Sequence, residues 1–398
     1  MGVIPAGGLS TRASPSAISM TLVIFTPMPH KGQNASPQFT AVIGGLPASV
    51  PFVAPEALER AQSARLRLRL GANESAFGVS PVALVAMREA AAQTNWYGDP
   101  ESYDLRLVLS EELGISPDNV LVGNGIDGLL GYVVRALVEP GVPVVTSRGT
   151  YPTFSYHAAA YGGTIYAVPY RDDRPDLESL LETAKRTRAR LVYLANPDNP
   201  SGSWHTAFDV GRFVSDLPSD CVLALDEAYH EFAPPDAVLT VDVARENLIR
   251  VRTFSKAHGM AGARVGYAIA HADMISTFGK FRNQFEVSRV SQAGALASLA
   301  DREFVEGVIK SVADGRADYT RLASELGLAT IPSATNFVCI DVGSAERAKR
   351  ILTSLLERGV FIRMPGAPPL DRCVRVTVGT LCERELFAEI FREVIASR

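Results

Sequence analysis

From residue 55 onward, short apolar runs alternate with longer stretches of helical spacing. Arg65-Leu66-Arg67-Leu68-Arg69-Leu70 alternates strictly and predicts a half-exposed strand. Ser80-Pro81 ahead of 82–92 predicts a helix with Ser80 as N-cap and Pro81 in its first turn. Strands are then expected at 120–122, 142–146, 164–168, 191–195, 222–225, 248–252 and 264–270. Helices are expected at 126–137, 151–161 and 177–186. Continuous apolar strands separated by helices predict an α/β fold, with a mostly parallel, doubly wound sheet covered on both faces.

The pattern changes after residue 300. A long helix leads to strands at 337–342, 360–363 and 374–378, with helices at 347–358 and 383–397. That predicts a smaller α/β C-terminal domain over 301–398, a large domain over 76–300, and a segment 46–75 joining the small one. Residues 1–45 are rich in Gly, Ser, Pro and Thr and lack periodicity. They are expected to form a flexible arm, with Met20 and Met28 as alternative starts.

Composition narrows the function. The chain has 398 residues, 47% hydrophobic and 21% charged, with a net charge of −4. This is a globular composition without the basic footprint of a nucleic-acid binder. Four cysteines without a CxxC pair argue against a disulfide scaffold. Scattered histidines without HxxxH or HExxH spacing give no reason to expect a bound metal. No apolar run is long enough to span a membrane, and a cytoplasmic location is the expectation. Only six of the 39 basic residues are lysines: Lys31, Lys185, Lys256, Lys280, Lys310 and Lys349.

In parallel α/β sheets, ligands sit beyond the carboxyl ends of the strands. Gly123-Asn124-Gly125-Ile126-Asp127-Gly128 follows a strand and opens a helix. Converging amides and a helix N-terminus suit a phosphate, although an ordinary tight turn has the same local pattern. Asn196-Pro197-Asp198-Asn199-Pro200-Ser201-Gly202 is an extended loop or a structural turn. Asp226 ends an apolar strand, where a carboxylate needs a partner unless it caps a helix. Lys256 is the one lysine in a Ser/Thr-flanked loop after a strand, which suits an amine nucleophile for Schiff-base chemistry. Arg264, eight residues on, can supply a bidentate phosphate contact.

A phosphate loop, a buried Asp, a lysine and an arginine together describe a pyridoxal 5′-phosphate site. The motifs Asn73-Glu74, GNG at 123–125, YPT at 151–153, NPDNPSG at 196–202, DEAY at 226–229, SK at 255–256, GARVG at 262–266, TNF at 335–337 and VRVTVG at 374–379 occur in order. Together they resemble the fold-type I pyridoxal-phosphate aminotransferases, most nearly the histidinol-phosphate aminotransferase family, over roughly residues 50–398.

The resemblance implies roles. Lys256 would bind the cofactor and move the substrate proton, and Asp226 would pair with the pyridine nitrogen. Asn199 and Tyr229 would bond the ring oxygen, and Tyr151 would stack on the ring. Gly125, Ile126, Asp127, Ser255 and Arg264 would hold the phosphate. Tyr97 would reach that phosphate from a second subunit of a homodimer. Arg375 would clamp the substrate carboxylate, with Asn73 nearby, and Arg363 would bind a phosphate or acidic side chain.

Three departures from the family pattern bear on substrate. One is in the phosphate loop, where Ile126 and Gly128 replace the usual small residue and Glu, changes that a backbone contact survives. Phe52 stands where a tyrosine is usual, and Glu286 where an asparagine is usual. A carboxylate at 286 would repel a substrate phosphate unless Arg282 or Arg289 neutralises it. The implied reaction is transamination between a histidinol-phosphate-like donor and a 2-oxo acid such as 2-oxoglutarate. An aromatic or other amino-acid donor, a phosphate-recognising decarboxylase, and a non-enzymatic binding domain on the same fold are the alternatives.

Overall fold

The computed structural model describes residues 38–47 and 53–397. The chain divides into two units, Met1–Pro51 and Phe52–Arg398. In the first, the helical turn Ala41–Gly44 is capped by Thr40, whose hydroxyl accepts from the Ile43 amide. Residues 1–37 of the expected arm lie outside the described residues, and so does Phe52.

In the second unit the described strands are β1 (Leu68–Arg69), β2 (Val120–Gly123), β3 (Pro143–Ser147), β4 (Thr164–Val168), β5 (Leu191–Ala195), β6 (Val222–Asp226), β7 (Leu248–Thr253), β8 (Gly266–Ile269), β9 (Ala329–Thr330), β10 (Phe337–Asp341), β11 (Val360–Phe361) and β12 (Cys373–Thr377). Seven of them form one sheet in the order β2-β8-β7-β6-β5-β3-β4. All pairings are parallel except those of β8, which runs antiparallel to β2 and β7. The residues just before β8 therefore lie at the carboxyl ends of its neighbours, which carries Arg264 to the same edge as the other loops. At that junction a Cβ on Gly266 would lie 2.7 Å from the Arg252 carbonyl, so the position accepts only glycine.

Apart from the edge strand β4, the strands of this sheet are almost wholly buried, and apolar clusters pack on both faces. The helix Pro81–Ala91 starts as expected, with the Ser80 hydroxyl accepting from the Ala83 amide. Five helices of this unit lie outside the expected set: Pro55–Gln62, Tyr103–Leu113, Ala207–Asp216, Ala272–Gly279 and Arg289–Ala300. The last is rich in Ala, Ser and Gly, which give little contrast between faces. Its small residues permit close packing, and a Cβ on Gly294 would lie 2.6 Å from Met87 Cγ.

A second core gathers the C-terminal elements. The helix Arg302–Glu325 packs on the antiparallel sheet β12-β10-β9 with the helices Ala345–Glu357 and Leu381–Ala396. The last helix opens with a capping box between Thr380 and Glu383. The alternating run 65–70 forms only the two-residue β1, parallel to β11, and Leu68 and Leu70 enter this C-terminal core. Tyr229 and Ala257 enter the same core, although they follow strands of the large sheet. The chemistry-bearing loops thus meet the C-terminal layer directly. Among the described residues no helix is long and apolar enough to cross a membrane.

Candidate active site

Lys256 follows β7 and is directed at β1's flank, where its Nζ donates to the Asn73 carbonyl at 3.0 Å. Its Nζ also lies 5.5 Å from the centre of the Tyr229 ring. Burial lowers its pKa to about 8, and the charges of Arg375 and Arg264 lower it too, against Asp127 and Asp226. Such an amine keeps a substantial neutral fraction near neutral pH, as a nucleophile requires. The remaining lysines among the described residues are exposed, on Leu177–Thr187, on Arg302–Glu325, on Ala345–Glu357, and at the cap after Ala272–Gly279.

Asp226 closes β6 with a fully buried carboxylate. Its Oδ2 accepts from the Tyr193 hydroxyl at 2.7 Å and its Oδ1 from the Ala228 amide at 3.0 Å. Burial raises its pKa to about 6, while those two hydrogen bonds and the charge of Lys256 hold it down. It makes no ion pair among the described residues, so a cation placed against it would gain a strong partner. Tyr193 is invisible to sequence reasoning because it reads as one more apolar residue of β5.

The phosphate-cradle residues converge as expected. Gly125 has φ +70°, and a Cβ there would lie 2.6 Å from Arg264 Nη2. Arg264 Nη2 donates to Asp127 Oδ2 at 3.2 Å, and Tyr151 donates to Asp127 Oδ1 at 2.8 Å. Arg264 Nη1 reaches the Ser255 hydroxyl at 3.4 Å, which accepts from Thr253 at 2.9 Å. Ile126, with Gly125, forms the first turn of Gly125–Leu137. Bare backbone, a half-exposed guanidinium, hydroxyls and a helix N-terminus fit a phosphate monoester. With Lys256 and Asp226 beyond it, the donor set fits pyridoxal phosphate.

Asn199 and the loop after β5 are fixed by Asp198, a residue outside the expected set. Its buried carboxylate accepts from the Ser201 hydroxyl at 2.6 Å, the Ser201 amide at 3.0 Å and the Tyr170 hydroxyl at 3.0 Å. Asn199 Oδ1 accepts from Arg375 Nη1 at 2.6 Å. Arg375 Nη2 donates to the Gly71 carbonyl at 3.2 Å, and its Nε is buried without a hydrogen-bond partner. Arg363 and Arg375 bridge through their backbones, and Arg363 donates to the Val53 carbonyl at 2.9 Å. Neither guanidinium forms an ion pair among the described residues. Burial lowers the pKa of both, and Arg375 lowers that of Arg363 further. Two adjacent uncompensated cations suit an anionic ligand.

Asn73 is buried, and its side chain is already engaged: Nδ2 donates to the Tyr229 hydroxyl at 3.0 Å and Oδ1 accepts from Thr377 at 3.1 Å. Tyr97 does not join the cluster within this chain. It stands 78% exposed, with its ring against Phe285. Glu286 has a different environment from the one expected. Its oxygens accept from the Asn124 amide at 3.3 Å and the Tyr132 hydroxyl. Arg282 is bonded instead to Glu101 and the Pro100 carbonyl, and Arg289 to the Tyr97 carbonyl.

The sequence profile of the aminotransferase class I and II family matches residues 67–391. The chain belongs to this family. Among its aminotransferase relatives, histidinol-phosphate aminotransferase 2 of Carboxydothermus hydrogenoformans is 34% identical over 82% of this chain and 91% of its own. The histidinol-phosphate aminotransferase of Roseiflexus castenholzii is 36% identical over 82% and 89%. The crystal structure of histidinol-phosphate aminotransferase from Sinorhizobium meliloti, in complex with pyridoxal 5′-phosphate, is 48% identical, with a TM-score of 0.89 over 92% of this chain and 100% of that one. The protein is thus an aminotransferase of the histidinol-phosphate type, a fold-type I pyridoxal-phosphate enzyme.

Proposed function

We propose that this aminotransferase moves an amino group from a phosphate-bearing donor of the histidinol-phosphate kind to a 2-oxo acid such as 2-oxoglutarate. The observation that carries this reading is the pair of uncompensated guanidiniums, Arg363 and Arg375, beside Lys256 and Asp226. Transamination needs a carboxylate or phosphate anchor, an amine that moves a proton, and an electron sink. Pyridoxal phosphate supplies the sink when bound. The chain supplies the rest. Asp226 would hold positive charge on the ring nitrogen, and Asn199 and Tyr229 would bond the ring oxygen. Gly125, Ile126, Asp127, Ser255 and Arg264 would retain the phosphate, and Tyr151 would cover the ring. Arg375, with Asn73 beside it, orients one end of the substrate and Arg363 the other, while Lys256 Nζ shuttles the proton.

The same reading makes 76–300 the cofactor domain and 301–398, with 46–75, the smaller substrate-side domain. It makes the enzyme a cytoplasmic homodimer. Exposed Trp96, Tyr97 and Phe285 support a partner surface that delivers Tyr97 to the neighbouring phosphate cradle.

Borohydride reduction of the holoenzyme followed by peptide mapping tests the core of the proposal. Pyridoxyl on Lys256 is the expected product, and label on another lysine refutes it. A donor panel with 2-oxoglutarate, containing histidinol phosphate, His, Phe and Tyr, tests the substrate. Highest kcat/KM for histidinol phosphate is expected, and preference for Phe or Tyr would replace it with an aromatic donor.

A further inference from the structure

The Asn73 carbonyl that receives Lys256 Nζ also accepts from Asn336 Nδ2, at 3.1 Å. The same Nδ2 reaches the Glu74 carbonyl at 3.3 Å. One buried amide therefore bridges two successive carbonyls, those of Asn73 and Glu74. Asn73 has φ +54°, in the left-handed region that asparagine enters more readily than other non-glycine residues. Thr377 fixes the amino side, accepting from the Asn73 amide and donating to its side chain, both at 3.1 Å. Asn336 fixes the carbonyl side. It is 2% exposed, its Oδ1 has no hydrogen-bond partner, and its backbone carbonyl accepts from the Val378 amide at 2.8 Å. The amide is thus held in place by its backbone and committed through its donor half.

We propose that Asn336 is a positioning residue for Lys256, holding the Asn73 carbonyl as the dock on which the amine rests whenever it is not joined to the cofactor. A lysine that gives up the cofactor to a substrate amine must remain close enough to move a proton and later return. A carbonyl has two lone pairs, so it accepts from Asn336 and Lys256 together. The dock favours the ammonium form, because a charged N–H gains more from a carbonyl acceptor than a neutral amine N–H does, and so it opposes the effect of burial. Without Asn336 the 73–74 peptide is anchored on one side only, and the ammonium loses its aligned acceptor.

This inference rests on Lys256 being the cofactor lysine, which borohydride labelling of the holoenzyme decides separately. Its own test uses the full chain freed of cofactor, with trace acetylation across pH 6–11 and Lys310, exposed on its helix, as internal reference. The Lys256 midpoint is expected near 8 in the unaltered protein. In Asn336→Leu it should fall by at least about half a unit. Asn336→Ala is the second variant should the leucine fail to fold. An unchanged or raised midpoint overturns the proposal, even if melting temperature drops, since a purely structural asparagine would lower stability without moving the titration of the amine.

Discussion

Arg375 Nη1 donates to Asn199 Oδ1 at 2.6 Å, which ties β12 of the C-terminal layer to the loop after β5. The proposed substrate clamp and a proposed partner of the cofactor ring therefore share one hydrogen bond. A substrate carboxylate entering against Arg375 meets a guanidinium already oriented by Asn199 and the Gly71 carbonyl.

Arg375→Ala should raise the KM for the amino donor by roughly 100-fold, about 3 kcal/mol of charged hydrogen bonding. The cofactor's visible absorption band should persist, because Lys256 and Asp226 are untouched. Steady-state kinetics and a spectrum of the same sample check this. An unchanged KM would remove Arg375 from substrate binding.

Tyr193→Phe should shift the pH dependence of cofactor binding. The Tyr193 hydroxyl favours the ionised form of Asp226, whose pKa burial has raised to about 6. Without that donor the pKa rises further, so less carboxylate is available at pH 6–7. Cofactor affinity of the apoenzyme should fall there and recover as pH increases, with the midpoint displaced upward by about one unit. The phenyl ring keeps its stacking on Phe154, so the fold is preserved. Fluorescence titrations between pH 5.5 and 8.5 decide it, and parallel curves for the two proteins would contradict it.

Lys256 and Asp226 were legible because strand ends mark themselves: an apolar run stops and a chemically capable residue follows. With only six lysines in the chain, placement alone singled out Lys256. Tyr193 gave no such signal, since a tyrosine within a buried strand reads as core until its hydroxyl is seen against Asp226. The contact between Arg375 and Asn199 spans 176 residues and depends on how two layers dock. Periodicity carries no information on that scale. The antiparallel course of β8 was equally hidden, because strand direction leaves no trace in a four-residue apolar run.

Glu286→Gln should change the ranking of donors by less than about twofold, near the limit of a weak, solvent-screened charge effect. The carboxylate is directed at the Asn124 amide and the Tyr132 hydroxyl, and burial raises its pKa. Its charge is thus engaged at the back of the loop that precedes Gly125–Leu137. Competition between histidinol phosphate and its unphosphorylated analogue measures the effect. A large gain for the phosphorylated donor would show that Glu286 faces the substrate.

Glu227→Gln should be strongly destabilising, although Glu227 pairs with Arg250 and Arg252 rather than with the proposed cofactor residues. Glu227 accepts from Arg250 through both oxygens, at 2.7 and 2.9 Å, and from Arg252 Nε at 2.9 Å. All three side chains are nearly inaccessible. Burial alone would push the carboxyl pKa up, but the two guanidiniums bring it down to about 2. A neutral glutamine leaves two buried cations without a counter-charge, a loss of roughly 3–5 kcal/mol. Because the folded-state pKa is depressed, the stabilisation is present above the ordinary glutamate value and lost as pH falls toward 2. The variant's melting temperature should therefore lie well below that of the unaltered protein at pH 7, with the gap narrowing as acid protonates Glu227. A gap that stays constant down to the acid limit would mean that packing at position 227, rather than its charge, holds β6 and β7 together.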